Sequence, residues 1–376
     1  MMRTLLPTTL AVLLGTTALA DAPRVAVDIA PVHSIVAAVM EGVGTPDLIV
    51  PTGASPHDHS LRPSEARALD EAELIVWVGH GLTPWLEGPL DSLGEGAEKI
   101  ELLKLPATRL MELREGATFA AHDHGHGEEE HDDHDHEDHD DDKHDDHGDE
   151  HASHDEHASH DEHADHDEHA HDDHAHEDEH AHGEHKHDDH EEASHDEAGH
   201  DGHGHAHADG VDPHAWLDPQ NAVIWAAAIA EELGHLDRDN AQAYANNAAA
   251  FGSEIKALTA EIEQELQPVS DKPFIVFHDA YQYFEARFGV AAVGAVSASD
   301  AEDPSPRRLA ELGEEIEALD AVCALTEPQF NPGIINALGD VRVGEIDPIG
   351  VSVEPGPDLY ATLIRNMATS LAACLK

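Results

Sequence analysis

Between His122 and His207 the chain holds 36 Asp and Glu, two Lys and 29 of its 36 His, and no large apolar residue follows before Val211. A segment of this composition cannot bury enough surface to offset the entropy lost on ordering it, so it reads as a disordered insertion. Whatever folds must be assembled from the residues on either side. About half of the formal net charge of -61 sits in the insertion, and the flanks are acidic as well. No basic patch is visible to meet nucleic-acid phosphates, which excludes nucleic acid as a partner and favours cations.

The flanks have an ordinary apolar content. RVAVDIA, DLIV and ELIVWVG read as strands, and PVHSIVAAVMEGV and RPSEARALDEA read as helices. That alternation predicts βαβ units around a parallel sheet over 21–121, with a remainder at 208–236. A long Ala-rich helical region follows, roughly Pro219 to Leu266. Its second half spaces Phe251, Ile255, Leu258, Ile262 and Leu266 three or four apart on one face. We take 237–267 as a helix linking the first lobe to a second over 268–376, where KPFIVF, AVCALTE and VRVGEID are strand-like and RRLAELGEEIEAL is helix-like. The fold class is therefore α/β: two parallel-sheet lobes joined by a long rigid helix.

The first residues, MMRTLLPTTLAVLLGTTALADAP, place Arg3 before an apolar stretch that ends in Ala18-Leu19-Ala20, the small-x-small pattern of a signal-peptidase site. Residues 1–20 read as a cleavable signal peptide and the mature chain as a soluble periplasmic protein. Cys323 and Cys374, the two cysteines, can pair in that oxidising compartment.

Four segments deliver a metal-capable side chain at the end of an apolar or turn-like stretch: His57 in LIVPTGASPHDHSLRPS, His214 in VDPHAWLDP, His278 in KPFIVFHDAYQYF, and Asp347 in VRVGEIDPIG. In open α/β sheets, ligands collect beyond the carboxyl ends of strands, so side chains from two lobes can converge in the cleft between them. Three imidazoles and a carboxylate make a tetrahedral zinc set. Spacing alone leaves each histidine equally open to a hydrogen-bonded structural role.

GASPHDHSLRPSEA, DPHAWLDP, FHDAYQYFEARFG, EPQF and IDPIG, in this order, resemble the high-affinity zinc-binding proteins of bacterial ABC transporters, the ZnuA type of the metal-binding solute-binding family. The resemblance spans nearly the whole mature chain, acidic His-rich insertion included. It implies a metal held between two lobes, with His57, His214 and His278 as imidazole ligands. Manganese and iron relatives tend to carry a carboxylate where His278 stands, which favours zinc over a manganese receptor. Asp347 matches the position that closes the site in many relatives; others use a water, or a Glu where this chain has Pro56. A bridge between Cys323 and Cys374 is implied too. His59 stands where relatives often carry an aromatic residue, and Asp279 and Glu327 are placed to orient ligand imidazoles. His33, His80 and His235 have no supporting motif and read as ordinary structural or surface residues.

The function so implied is non-enzymatic: high-affinity periplasmic Zn2+ capture, and delivery by a monomer to an inner-membrane zinc ABC permease. Each exposed imidazole of the tract must be ordered anew around every ion, so His122 to His207 is expected to give several weak, exchanging sites that collect metal for one tight cleft site. Two other functions compete. In one, a periplasmic zinc buffer or chaperone trading ions with other metal carriers, the tract itself is the working part. In the other, a zinc hydrolase, three His would activate a water.

Overall fold

The structure, a computed structural model, describes residues 22–114, 210–297, 318, 320–329 and 341–376. The signal peptide expected at 1–20, the insertion at 122–207 and almost all of the helix expected over RRLAELGEEIEAL lie outside them.

The first lobe runs β1 (Val25–Val27), α1 (Ala30–Val39), β2 (Asp47–Leu48), α2 (Pro63–Glu71), β3 (Leu74–Trp77), α3 (Glu87–Ser92) and β4 (Glu98–Glu101). Its four strands are parallel, in the order β2-β1-β3-β4, with Val25 opposite Leu74 and Leu74 opposite Glu98. Every residue of β1 and β3 is buried, as strands covered on both faces require, which explains their unbroken apolar runs. Two helices follow, α4 (Pro219–Leu236) and α5 (Ala241–Leu266). The second lobe repeats the pattern with β5 (Phe274–His278), α6 (Gln282–Phe288), β6 (Ala292–Ser297), β7 (Cys323–Thr326), β8 (Arg342–Glu345) and α7 (Leu359–Leu375). Its sheet is also parallel, ordered β6-β5-β7-β8. Cys323 at the start of β7 is bonded to Cys374 near the end of α7.

The single helical region expected from Pro219 to Leu266 is thus interrupted. The Asp237 carboxylate accepts from the Asn240 backbone N–H at 3.3 Å, from its side-chain amide at 2.7 Å and from the Tyr244 hydroxyl at 2.9 Å. These bonds turn the chain and start α5 afresh. Phe251, Ile255, Leu258, Ile262 and Leu266 are all buried, so the predicted face of α5 is the one that packs. It lies against α4, α1 and α7. One continuous apolar cluster therefore runs from β1 and α1 through α4 and α5 to β5, α6 and α7. Polar bonds reinforce the join: the Ser34 hydroxyl in α1 donates to the Pro357 carbonyl and accepts from the Tyr360 N–H.

Both sheets have the 2-1-3-4 order, which opens a crevice beyond the carboxyl ends of the first and third strands of each. In the first lobe that crevice is closed by Asp28, whose carboxylate accepts from the Val78 N–H at 2.6 Å and the Ile29 N–H at 2.8 Å. In the second lobe it carries His278, the last residue of β5, and Glu327, which follows β7.

Candidate metal centre

His57 stands in the irregular chain between β2 and α2, His214 just ahead of a 3₁₀ turn at Ala215–Leu217, and His278 at the end of β5. Each offers a ring nitrogen, and the three nitrogens lie within 4.8 Å of one another. His57 Nε2 and His214 Nε2 are 3.4 Å apart. Ligands about 2.05 Å from a tetrahedral ion stand about 3.3 Å from each other, so this pair already has the spacing that zinc demands. The cavity between the imidazoles is only about 10 Å³, with Pro56, Pro348 and Ile349 over it. That is the room of about one water-sized sphere. It suits an ion and leaves no space for an organic substrate.

Two of the imidazoles are turned by buried carboxylates. His214 Nδ1 lies 2.7 Å from Asp212 Oδ1, and His278 Nδ1 lies 2.5 Å from Glu327 Oε1. An ionised carboxylate only accepts, so each Nδ1 carries the hydrogen and each Nε2 presents its lone pair to the cavity. The carboxylates are held in turn: Asp212 accepts from the His214 N–H at 2.9 Å and the Gln282 amide at 3.1 Å, and Glu327 from the Gln329 amide at 2.6 Å. Burial pushes the Asp212 carboxyl up to about 6, while these hydrogen bonds and the charge of Arg114 pull it down.

Asp212 has no place among the residues expected from sequence, although it stands two positions ahead of His214 in VDPHAW, a spacing at which an Asp readily folds back on a following residue. The other expected residues divide. Glu327 bonds the His278 imidazole. Asp279 does not: it is paired with Arg114, which also bonds Glu285 at 2.8 Å. His59 bonds Glu65 Oε2 at 2.8 Å and packs edge-on against Trp85. Asp347 is not brought to the three imidazoles. Its Oδ1 accepts from the Gly350 N–H at 2.8 Å and the Ile349 N–H at 3.3 Å, its Oδ2 from the Ser352 N–H and hydroxyl at 3.2 Å, and it lines a separate cavity. A carboxylate in a tight turn satisfies its own loop first. His33 bonds the Pro46 carbonyl, His80 pairs with Glu87, and His235 is largely exposed near the end of α4.

The root of the insertion adjoins this centre. Glu112 and Val211 form an antiparallel bridge, Leu113 N–H donates to the Gly210 carbonyl, and Tyr283 in α6 accepts from the Met111 N–H while donating to the Asp212 carbonyl. The two flanks of the insertion are therefore stapled together beside His214.

Comparison with known proteins places the chain in a family. The family described as zinc-uptake complex component A, periplasmic (ZnuA), matches residues 25–374. The high-affinity zinc uptake system protein ZnuA of Brucella abortus is 42% identical over 364 residues, covering 96% of this chain and 94% of that protein. The protein of the same description from Paracoccus denitrificans is 42% identical, covering 97% of each. Among solved structures, a crystal structure of ZnuA superposes with a TM-score of 0.62 at 19% identity, covering 95% of this chain and 100% of that one. The chain belongs to the ZnuA family of periplasmic zinc-uptake components.

Proposed function

We propose that this protein captures zinc in the periplasm and hands it to an inner-membrane ABC permease, binding the ion between its lobes at His57, His214 and His278. The observation that carries this reading is the convergence of three imidazole nitrogens within 4.8 Å, from segments far apart in the chain. Neutral imidazoles give zinc the borderline-soft ligands it favours over manganese, which prefers oxygen. The chain gives up its ion intact, so zinc is cargo here and no bond is made or broken in it.

Three imidazoles fill three positions of a tetrahedral ion, and the fourth falls to Asp347. Pro348 and Ile349, its immediate neighbours, already cover the cavity. To reach the ion the carboxylate exchanges its bonds to Ile349, Gly350 and Ser352 for a zinc–oxygen bond. That exchange makes ligation reversible, as delivery to a permease requires. The tract at 122–207 serves as an accessory collector, feeding weakly held ions to a site whose ligands are stapled beside its root. Export through the leader at 1–20 places the chain in the periplasm. The small cavity argues against the hydrolase alternative.

Asp347→Asn tests the fourth ligand. Zinc affinity, measured by competition with a chelator that empties the tract, falls at least about tenfold if the carboxylate ligates. Unchanged affinity assigns the fourth position to solvent. His278→Ala abolishes tight binding, and retained tight binding in that variant contradicts the site as a whole.

A further inference from the structure

The three imidazoles are presented by unequal supports. His278 ends a buried strand and His214 adjoins a 3₁₀ turn, each with a carboxylate on its ring. His57 belongs to a stretch with no helix or strand between Leu48 and Pro63, and it is the least buried of the three. A ligand on such a loop binds tightly only if something else fixes the loop.

Two contacts do so, on either side of His57. One residue before it, the Pro56 carbonyl accepts a hydrogen bond from the Trp85 indole at 2.8 Å. Two residues after it, His59 Nε2 bonds Glu65 Oε2 at 2.8 Å, with both side chains buried. Glu65 is itself fixed in the first turn of α2, accepting from the Arg62 N–H at 2.7 Å. The two contacts meet: the His59 ring packs edge-on against the Trp85 ring, with centroids 5.2 Å apart. Trp85 is also packed on the apolar cluster of Leu69, Ile75, Leu86 and Leu90, on the far side of the first sheet. The rigid part of the lobe therefore reaches the chain on both sides of His57, through the indole N–H before it and the buried acid–imidazole pair after it.

Taking His57 as a zinc ligand, as proposed above, we infer that Trp85 is its positioning residue: with the His59–Glu65 pair it brackets the loop and sets how fast the site releases zinc. The physical reason is entropic. Fixing one residue's backbone costs about 1–2 kcal/mol, and a free loop meets that cost whenever zinc binds, whereas a bracketed loop has met it on folding. Trp85 acts on the ion only through His57, so its effect must vanish when His57 is absent. A merely structural tryptophan has no such dependence.

The test uses the intact mature protein loaded with one zinc after a weak chelator has emptied the tract, and follows release into a strong chelator by stopped flow. Trp85→Phe keeps the ring and removes only the N–H. Release is expected to quicken about fivefold, the worth of one net hydrogen bond. Amide hydrogen exchange over 54–58 in metal-free protein should quicken too, while the metal-free melting temperature falls by only about 2–4 °C, the loss of that one bond. In a His57→Ala background, Trp85→Phe should change release by less than twofold. Equal acceleration in both backgrounds overturns the inference, as does unchanged release in the single variant. If His57→Ala leaves zinc binding untouched, the fault lies in the site assignment itself.

Discussion

Replacing Glu327 by Gln should weaken zinc binding about 10- to 100-fold, and the structure says why so small a change has that effect. Glu327 is 2% exposed and accepts from two donors, His278 Nδ1 at 2.5 Å and the Gln329 amide at 2.6 Å. A carboxylate serves both. A glutamine has one oxygen and one NH₂ and leaves one donor facing a donor. If its oxygen stays on His278, the loss is mainly the charge-assisted part of the bond, about 1.4 kcal/mol, or tenfold. If its NH₂ faces the imidazole, Nδ1 must accept, the hydrogen moves to Nε2, and the lone pair that holds zinc is withdrawn; the loss then lies at the upper end. Competitive titration against a chromophoric chelator measures the affinity, and calorimetry on metal-free protein checks the fold. Affinity within twofold of the parent would refute the reasoning and leave Glu327 a space-filling acid.

Removing the cation from the neighbouring buried cluster should damage the fold. Arg114 has 14% of its side chain exposed and pairs with Asp279 and Glu285, whose carboxyl burial already pushes upward, so Arg114→Met should cost about 3 kcal/mol in urea unfolding. A pH effect follows from Asp28, which burial pushes from 3.8 up to about 7 against its backbone hydrogen bonds. Between those values the folded chain keeps a proton that the unfolded chain has lost, so the stability Asp28 contributes falls as pH rises through the window. Melting temperatures of metal-free Asp28→Asn, relative to the parent, should therefore climb from pH 4 to 7; a flat difference would show that Asp28 is charged throughout.

The elements were legible wherever burial imposes a period or an unbroken run. The face of α5 read from Phe251 to Leu266 is the buried one, and FIVF lies within β5, the strand that ends at His278. The helical region read over Pro219 to Leu266 breaks between Leu236 and Ala241, next to the start given for the linking helix at 237, where Asp237 and Asn240 are turn and cap residues. The fold class follows from alternating strands and helices. The site does not: His57 and His214 are 157 residues apart, and only the ordered motifs brought them together. Trp85 lay beyond reach for the same reason, since its bond to Pro56 crosses 29 residues with no local pattern to announce it. Asp347 shows a further limit: sequence marks it as metal-capable, yet its nearest partners are the donors of its own turn.

Zinc titration of a chain lacking 122–207, beside the intact mature chain, tests the central claim most directly. The account predicts that the shortened chain binds one zinc as tightly as the intact one and loses that binding on His278→Ala. Disappearance of tight binding along with the tract would contradict it and make the histidine repeat the functional part.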